Sequence, residues 1–259
     1  MQEPPRLGAI VLAGGQSRRM GTPKALLDWH GSTLVRRITG ILLRIADPVV
    51  VVHADGQELP KLVGVERVTD RAPDRGPLEG IAAGLRAVAD RRPAVFVSGT
   101  DLPLLHPDLV LALASRRGDH DVAVPVADGH VHHLCAVYAS DLLPAVEQQL
   151  AGDRLRVGQL LDGIDVLRLD ATALPHPESL RNLNTDEDYR RALAEPQPRI
   201  TLLAGLGPGS VRAATLGEAA RLAPALAAEL SARTLRLNGA AIEPDPATPL
   251  VEGDVLELN

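Results

Sequence analysis

The chain predicts an α/β fold: a mainly parallel sheet with helices on both faces, followed by a small C-terminal α+β part. Three observations predict it. Short, wholly apolar runs alternate with segments whose apolar residues recur at helical spacing. Glycine or polar residues stand just past the ends of those runs. The pattern then changes after Ala194-Glu-Pro-Gln-Pro198, where two prolines suit neither a helix nor a central strand.

In chain order, Leu7–Ala13 reads as a buried strand, and so does Val49–Val52, a run of four valines. Between them Leu34, Val35, Ile38, Ile41, Leu42 and Ile45 make one apolar stripe on a helix. Val65–Val68 is a short strand ending at Asp70, and Gly76-Pro77 opens a helix carrying Ile81, Leu85 and Val88. Ala94–Ser98 is a strand with Thr100-Asp-Leu-Pro103 just beyond it. Strands separated by helices of this length form right-handed parallel βαβ units. Strands at Val122–Val126, Leu134–Tyr138 and Val166–Leu169 follow, with helices around Asp141–Leu150 and through Tyr189 and Leu193. After the linker, Arg199–Leu203 and Thr234–Asn238 read as strands, Thr215–Leu230 as a helix interrupted at Pro224, and Leu250–Leu258 as a final strand. That gives two parts, 1–195 and 199–259, with no internal repeat between them. The second is about sixty residues, near the lower size for independent folding.

Composition excludes several function classes. A net charge of −6 argues against a nucleic-acid or anionic-membrane surface, and 2% aromatics against base-stacking platforms. Cys135 is the only cysteine, so neither an intrachain disulfide nor a cysteine-rich zinc site can form. It sits in the apolar run Leu134–Tyr138 and reads as core packing. Neither a membrane-length apolar stretch nor a signal pattern is present, and a cytoplasmic protein is expected.

Residues 12–24, Leu-Ala-Gly-Gly-Gln-Ser-Arg-Arg-Met-Gly-Thr-Pro-Lys, carry the chemistry. A buried strand empties into Gly14 and Gly15, where φ > 0 would bring backbone N–H groups against a polyphosphate with no Cβ in the way. Arg18, Arg19 and Lys24 supply the charge a triphosphate needs. Of 27 Lys and Arg only Lys24 and Lys61 are lysines, so a lysine in this loop looks chosen for its compact ammonium head.

Ligands of an open parallel sheet bind beyond its strands' carboxyl ends. Gly14 and Gly15, His53, Asp70 and Asp101 all fall at such ends. Asp101 can hold Mg²⁺ together with phosphate oxygens, or else cap the following segment. Asp70 is a site residue or a turn residue, and His53 a base or ribose contact or a solvated loop histidine. Two motifs are decoys. Gly205-Leu-Gly-Pro-Gly209 lacks the last glycine of a dinucleotide fingerprint, where Ser210 stands. His130, His132 and His133 sit on a loop entering a strand, with the last two on opposite faces, and suit solvent or substrate better than zinc.

Taken in order, Leu12–Lys24, Gly76-Pro-Leu-Glu-Gly80, Thr100-Asp-Leu-Pro103 and Asn182-Leu-Asn-Thr-Asp-Glu-Asp188 resemble the molybdenum cofactor guanylyltransferases. The resemblance covers roughly residues 6–195. It implies a Rossmann-like nucleotidyltransferase sheet and Mg²⁺-dependent transfer of GMP from GTP to the terminal phosphate of molybdopterin, releasing pyrophosphate. By motif, Leu12, Ala13, Gly14 and Lys24 would bind nucleotide, with His53 and Asp70 as further contacts. His53 stands where an asparagine is expected. Asp101 would bind both nucleotide and metal, making Lys24 and Asp101 the catalytic pair. Asn182, Asn184 and Arg156 would face the pterin. Thr22-Pro23-Lys24 departs from the pattern, because this branch often has an acidic residue before the lysine. Pro-Lys is more usual in relatives that transfer CMP or act on sugar phosphates, so a cytidylyltransferase or sugar-phosphate enzyme is the alternative. A non-catalytic pterin- or nucleotide-binding adaptor is another, and an intact Lys24 and Asp101 argue against it.

The C-terminal part resembles β-grasp, ubiquitin-like sulfur carriers at Leu237-Asn-Gly239 and Leu250-Val-Glu-Gly-Asp-Val255. Those carriers work through a C-terminal Gly-Gly, whereas this chain reads Leu258-Asn259. A docking or stabilising appendage is therefore expected, with molybdoenzymes or other cofactor-synthesis proteins as its partners, and no carrier chemistry.

Overall fold

The computed structural model describes residues 7–14, 23–70, 72, 75–203, 205–206, 209–229 and 235–258. It opens with β1 (Leu7–Leu12), a two-stranded hairpin of β2 (Asp28–Trp29) and β3 (Ser32–Thr33), α1 (Leu34–Leu42), β4 (Val49–Ala54) and β5 (Val65–Asp70). Next come α2 (Pro77–Val88), β6 (Ala94–Gly99), α3 (Pro107–Arg117), β7 (Val122–Ala127), β8 (His130–Val131) and β9 (Cys135–Ala139). Helices α4 (Leu143–Ala151) and α5 (Val157–Leu161), strand β10 (Val166–Asp170) and α6 (Asp186–Leu193) complete the first part.

These strands form one sheet in the order β10-β7-β9-β6-β1-β4-β5, with β8 hung on β7. β1 lies parallel between β6 and β4, and β5 extends that parallel array. β9 runs antiparallel to both β6 and β7. The reason is local. Asp128 and Gly129 take φ of 49° and 75° and close a two-residue hairpin between Ala127 and His130. Too few residues then remain before β9 for the crossover helix that a parallel return needs.

Alternation along the central strands sends side chains to two cores. Ala9, Val11, Val49, Val51 and Phe96 pack with Val35, Ile38 and Ile41 of α1 and with Leu109 and Leu113 of α3. Ile10, Leu12, Val50, Val52, Val95 and Val97 pack with Leu78, Ile81 and Leu85 of α2, and with α4 and α5. The mainly parallel sheet with helices on both faces is thus present. Helix α3 is an element beyond those the sequence set apart.

A second sheet holds β11 (Arg199–Leu202), β12 (Ser210–Arg212), β13 (Leu235–Leu237), β14 (Ala240–Ile242) and β15 (Val255–Leu258), in the order β12-β11-β15-β13-β14. β11 and β15 are parallel, and the other neighbours are antiparallel. Helices α7 (Leu216–Leu222) and α8 (Pro224–Glu229) meet at Pro224, the expected break. Ile200, Leu202, Leu216, Leu235, Leu237 and Leu256 form the core of this sheet. Two strands, β12 and β14, are additions to those the sequence set apart. The Gly205–Gly209 segment joins the antiparallel pair β11 and β12, and so is a hairpin connection rather than a strand-to-helix loop. A small cluster of Trp29, Leu34, Leu183, Ala192 and Ala214 joins the two parts. No helix among the described residues is long and apolar enough to cross a membrane.

Candidate active site

A cavity of about 330 Å³ opens beyond the carboxyl ends of β1, β4, β5 and β6. Its wall includes Leu12, Ala13, Gly14, Lys24, Asp70 and Asp101, all six named from the sequence. Gly76 also lines it, at φ 91°, where a side chain would be strained, and Pro77 follows as the first residue of α2.

Gly14 corrects an expectation. It does not take positive φ, and its N–H donates to Val52 O at 3.2 Å, as does that of Ala13 at 2.8 Å. What glycine provides there is close passage, since a Cβ would stand 3.3 Å from the backbone nitrogen of Ala54. Gln57, which the sequence did not flag, pins this turn by donating to Ala13 O at 2.9 Å and accepting from Ala54 N at 3.0 Å. Gly15, Arg18 and Arg19 lie outside the described residues.

Lys24 Nζ reaches Asp101 Oδ2 at 3.2 Å and Asn184 Oδ1 at 3.5 Å. The cap reading of Asp101 fails, because α3 begins at Pro107 and is capped by the His106 side chain. The Asp101 carboxylate instead folds back over Gly99, where an added Cβ would come within 2.6 Å of Oδ1. Asp70 serves both of its readings: it lines the cavity, and its Oδ1 accepts from Ala72 N at 2.8 Å in an Asx turn. His53 does not line the cavity. Neighbouring strand residues face opposite ways, so Val52 takes the wall and His53 turns its Nδ1 to Ala54 O at 2.8 Å.

A larger cavity of about 620 Å³ adjoins the first, and Leu134 lines both. Asn182, Asn184, Arg181, His130, His132 and His133 line it. His132 and His133 follow β8 in a turn, so both reach this one cavity rather than opposite faces. Burial holds both imidazoles below their ordinary pKa, with the other loop histidines adding for His132, and so both are neutral at pH 7. The Oδ1 of Asn182 is buried and has no hydrogen-bond partner among the described residues. Arg156 stands apart, in a third cavity that shares His133 with the larger one and Gly76 and Pro77 with the smaller. Cys135 is buried, and burial together with the Asp101 charge pushes its thiol far above the ordinary range. It is no nucleophile.

Asp101 places a carboxylate on this wall beside Lys24, whereas Asp70 ends β5, three strands along the sheet from β6. One carboxylate completed by phosphate oxygens and water is a donor set that Mg²⁺ accepts, so Asp101 fits such an ion. His106, Asp108 and His176 also bring potential ligand atoms within 4.8 Å of one another. Their rings, however, are stacked at 3.5 Å and 20°, so one ion cannot lie in both ring planes. Both His106 nitrogens are engaged as well, with Glu252 O at 3.0 Å and Asp108 N at 3.2 Å.

Comparison with known proteins agrees with this architecture. A family model described as the MobA-like NTP transferase domain matches residues 9–164. A protein from Mycolicibacterium paratuberculosis named "Probable molybdenum cofactor guanylyltransferase" is 36% identical over 200 residues, spanning 75% of this chain and 98% of that one. Its namesake from Mycobacterium tuberculosis is 39% identical over 184 residues, spanning 69% and 89%. Among solved structures, molybdopterin-guanine dinucleotide biosynthesis protein A from Archaeoglobus fulgidus superposes with a TM-score of 0.60 at 25% identity, over 71% of this chain and 96% of that one.

Proposed function

The chain belongs to the MobA-like NTP transferase family as a nucleotidyltransferase of molybdenum cofactor biosynthesis, and from that premise we propose that it transfers GMP from GTP to the terminal phosphate of molybdopterin, releasing pyrophosphate. The observation that carries this reading is the meeting of two cavities at Lys24, whose ammonium group contacts Asp101 on the wall of one and Asn184 on the wall of the other. A donor triphosphate in the smaller cavity and a pterin in the larger would bring their phosphates together at that point.

The attacking phosphate is already an anion at neutral pH, so a strong general base is not required. The difficulty is repulsion between two anions and the charge that builds on the leaving pyrophosphate. Lys24 neutralises part of that charge, and the walls from β1, α2 and β6 hold the nucleotide for in-line displacement. Bound Mg²⁺ would be held by Asp101 and would supply electrostatic neutralisation of the phosphates, with Asp70 as a further nucleotide contact. Leu12, Ala13, Gly14 and Gly15 would cradle the nucleotide, with Arg18 and Arg19 beside its phosphates. His53, lying off the wall, is the weakest member of the nucleotide set. Asn182 and Asn184 would meet the pterin, the unpaired Asn182 oxygen accepting from it, and Arg156 would act from the adjoining third cavity.

On this reading residues 1–195 are the transferase domain and 199–259 an appended β-grasp-like domain. The order β12-β11-β15-β13-β14, with β11 and β15 adjacent and parallel inside it, supports that likeness. The domain would dock molybdoenzymes or other cofactor-synthesis proteins, and the protein would work in the cytoplasm.

Pyrophosphate release with molybdopterin as acceptor, compared between GTP and CTP, tests the proposal. Faster release with GTP is expected. Faster release with CTP would replace guanine by cytosine, and release with neither would overturn the reading.

A further inference from the structure

Arg37 of α1 is buried to 2% exposure, yet it meets no carboxylate among the described residues through a hydrogen bond. Its guanidinium donates instead to three backbone carbonyls. Nε donates to Pro103 O, Nη1 to Ala214 O at 3.0 Å and Nη2 to Leu250 O at 3.3 Å. Burial, with Arg44 adding, pushes its pKa down to about 9, against the opposing pull of Asp254 and Glu218. A buried cation held by neutral carbonyls is costly to keep, and what it secures is the mutual position of three chain segments.

One of those segments carries Asp101. The loop from Asp101 to His106 is held at four points. Asp101 O accepts from Leu183 N at 2.9 Å, Pro103 O from Arg37, and Leu104 O from Ser179 Oγ at 3.1 Å. His106 Nε2 donates to Glu252 O at 3.0 Å. Two of these ties reach the C-terminal sheet region: His106 directly, and Arg37 because it also grips Ala214 and Leu250. The Leu183 tie leans the same way, since Leu183 packs in the cluster that contains Ala214.

We propose that the C-terminal sheet region is a brace for the catalytic edge, fixing the Asp101–His106 loop through Arg37 and His106 and so setting the Asp101 carboxylate beside Lys24. Arg37 and His106 are positioning residues. The inference rests on the reading of Asp101 as part of the reacting centre.

The test uses the full chain. Amide hydrogen exchange of residues 101–106 and steady-state kinetics are measured in Arg37→Met and His106→Asn. Asparagine keeps the helix cap while being too short to reach Glu252. Arg36→Met is the control, because it removes an ion pair to Asp245 that touches neither the loop nor Arg37. Loop exchange about tenfold faster, and kcat about tenfold lower with the KM for GTP little changed, are expected in the two test variants. The control should leave loop exchange and kcat near wild type. Should Arg37→Met fail to fold, His106→Asn decides. Wild-type loop exchange in a folded variant overturns the brace. Faster exchange with unchanged kcat, where Asp101→Asn is inactive, overturns its link to catalysis. Exchange is read without turnover, so an active Asp101→Asn would sink the functional reading alone and leave the brace to be judged by exchange.

Discussion

Gly99 and Asp101 show how little space separates a working carboxylate from a displaced one. In Gly99→Ala the new Cβ would lie 2.6 Å from Asp101 Oδ1, so the carboxylate that Lys24 contacts must shift. Turnover should fall roughly 10- to 100-fold with only a small change in melting temperature, read by pyrophosphate release and calorimetry on one sample. Lys24→Met and Asp101→Asn should each cost about 100-fold or more in kcat while the fold persists, and near-wild-type turnover in either would remove that residue from the mechanism. Cys135 should resist thiol reagents until the chain unfolds, because burial disfavours its thiolate. The cavity wall was legible in the sequence because Leu12, Gly14, Asp70 and Asp101 each sit at the end of a strand that apolar runs reveal. Gln57, Gly99 and Leu134 were not, because their roles depend on neighbours far away in the chain. His53 was misplaced by one step of strand parity, which the valine run before it cannot reveal.

Packing between elements is tightest where α2 crosses the sheet. A Cβ on Gly84 would come within 2.5 Å of the Ile10 side chain, which is fully buried on β1. Gly84→Ala should therefore destabilise by about 1–3 kcal/mol, measured by urea unfolding, even though alanine is the better helix former. At the other end of the domain, Thr185 and Asp188 form a complete capping box at the start of α6. Thr185→Ala should cost about 1 kcal/mol in the same measurement. The central strands could be read ahead of time as short apolar runs, and α1 and α2 from apolar residues at helical spacing. Helix α3 could not, because only Leu109, Val110 and Leu113 of it are buried and the stripe is too thin to stand out. The antiparallel β9 was signalled only by Asp128-Gly129, a dipeptide whose weight appears once its flanking strands are known to pair.

Across the whole molecule, acid should act through histidines that the fold keeps neutral. Burial lowers the pKa of His106, His132 and His133, against weaker opposing contacts such as the Glu252 carbonyl on His106. The folded protein therefore takes up these protons less readily than the unfolded chain. Their contribution is whole above about pH 6.5 and is lost as pH falls through the lowered values. Melting temperature should thus fall as pH drops below about 6.5, and a His106→Asn variant should show a shallower slope, which differential scanning calorimetry can read. The reversed direction of β9 carries a consequence for diversification. Its first residues, and the hairpin that feeds them, hang over the larger cavity, whereas the smaller one is walled mostly by the parallel strands and α2. Lengthening or shortening the stretch from Asp128 to His132 would recontour the larger cavity and leave the lining of the smaller one in place. On the proposed seating of the two substrates, a single hairpin would let such a scaffold trade acceptors without relearning how to grip its nucleotide.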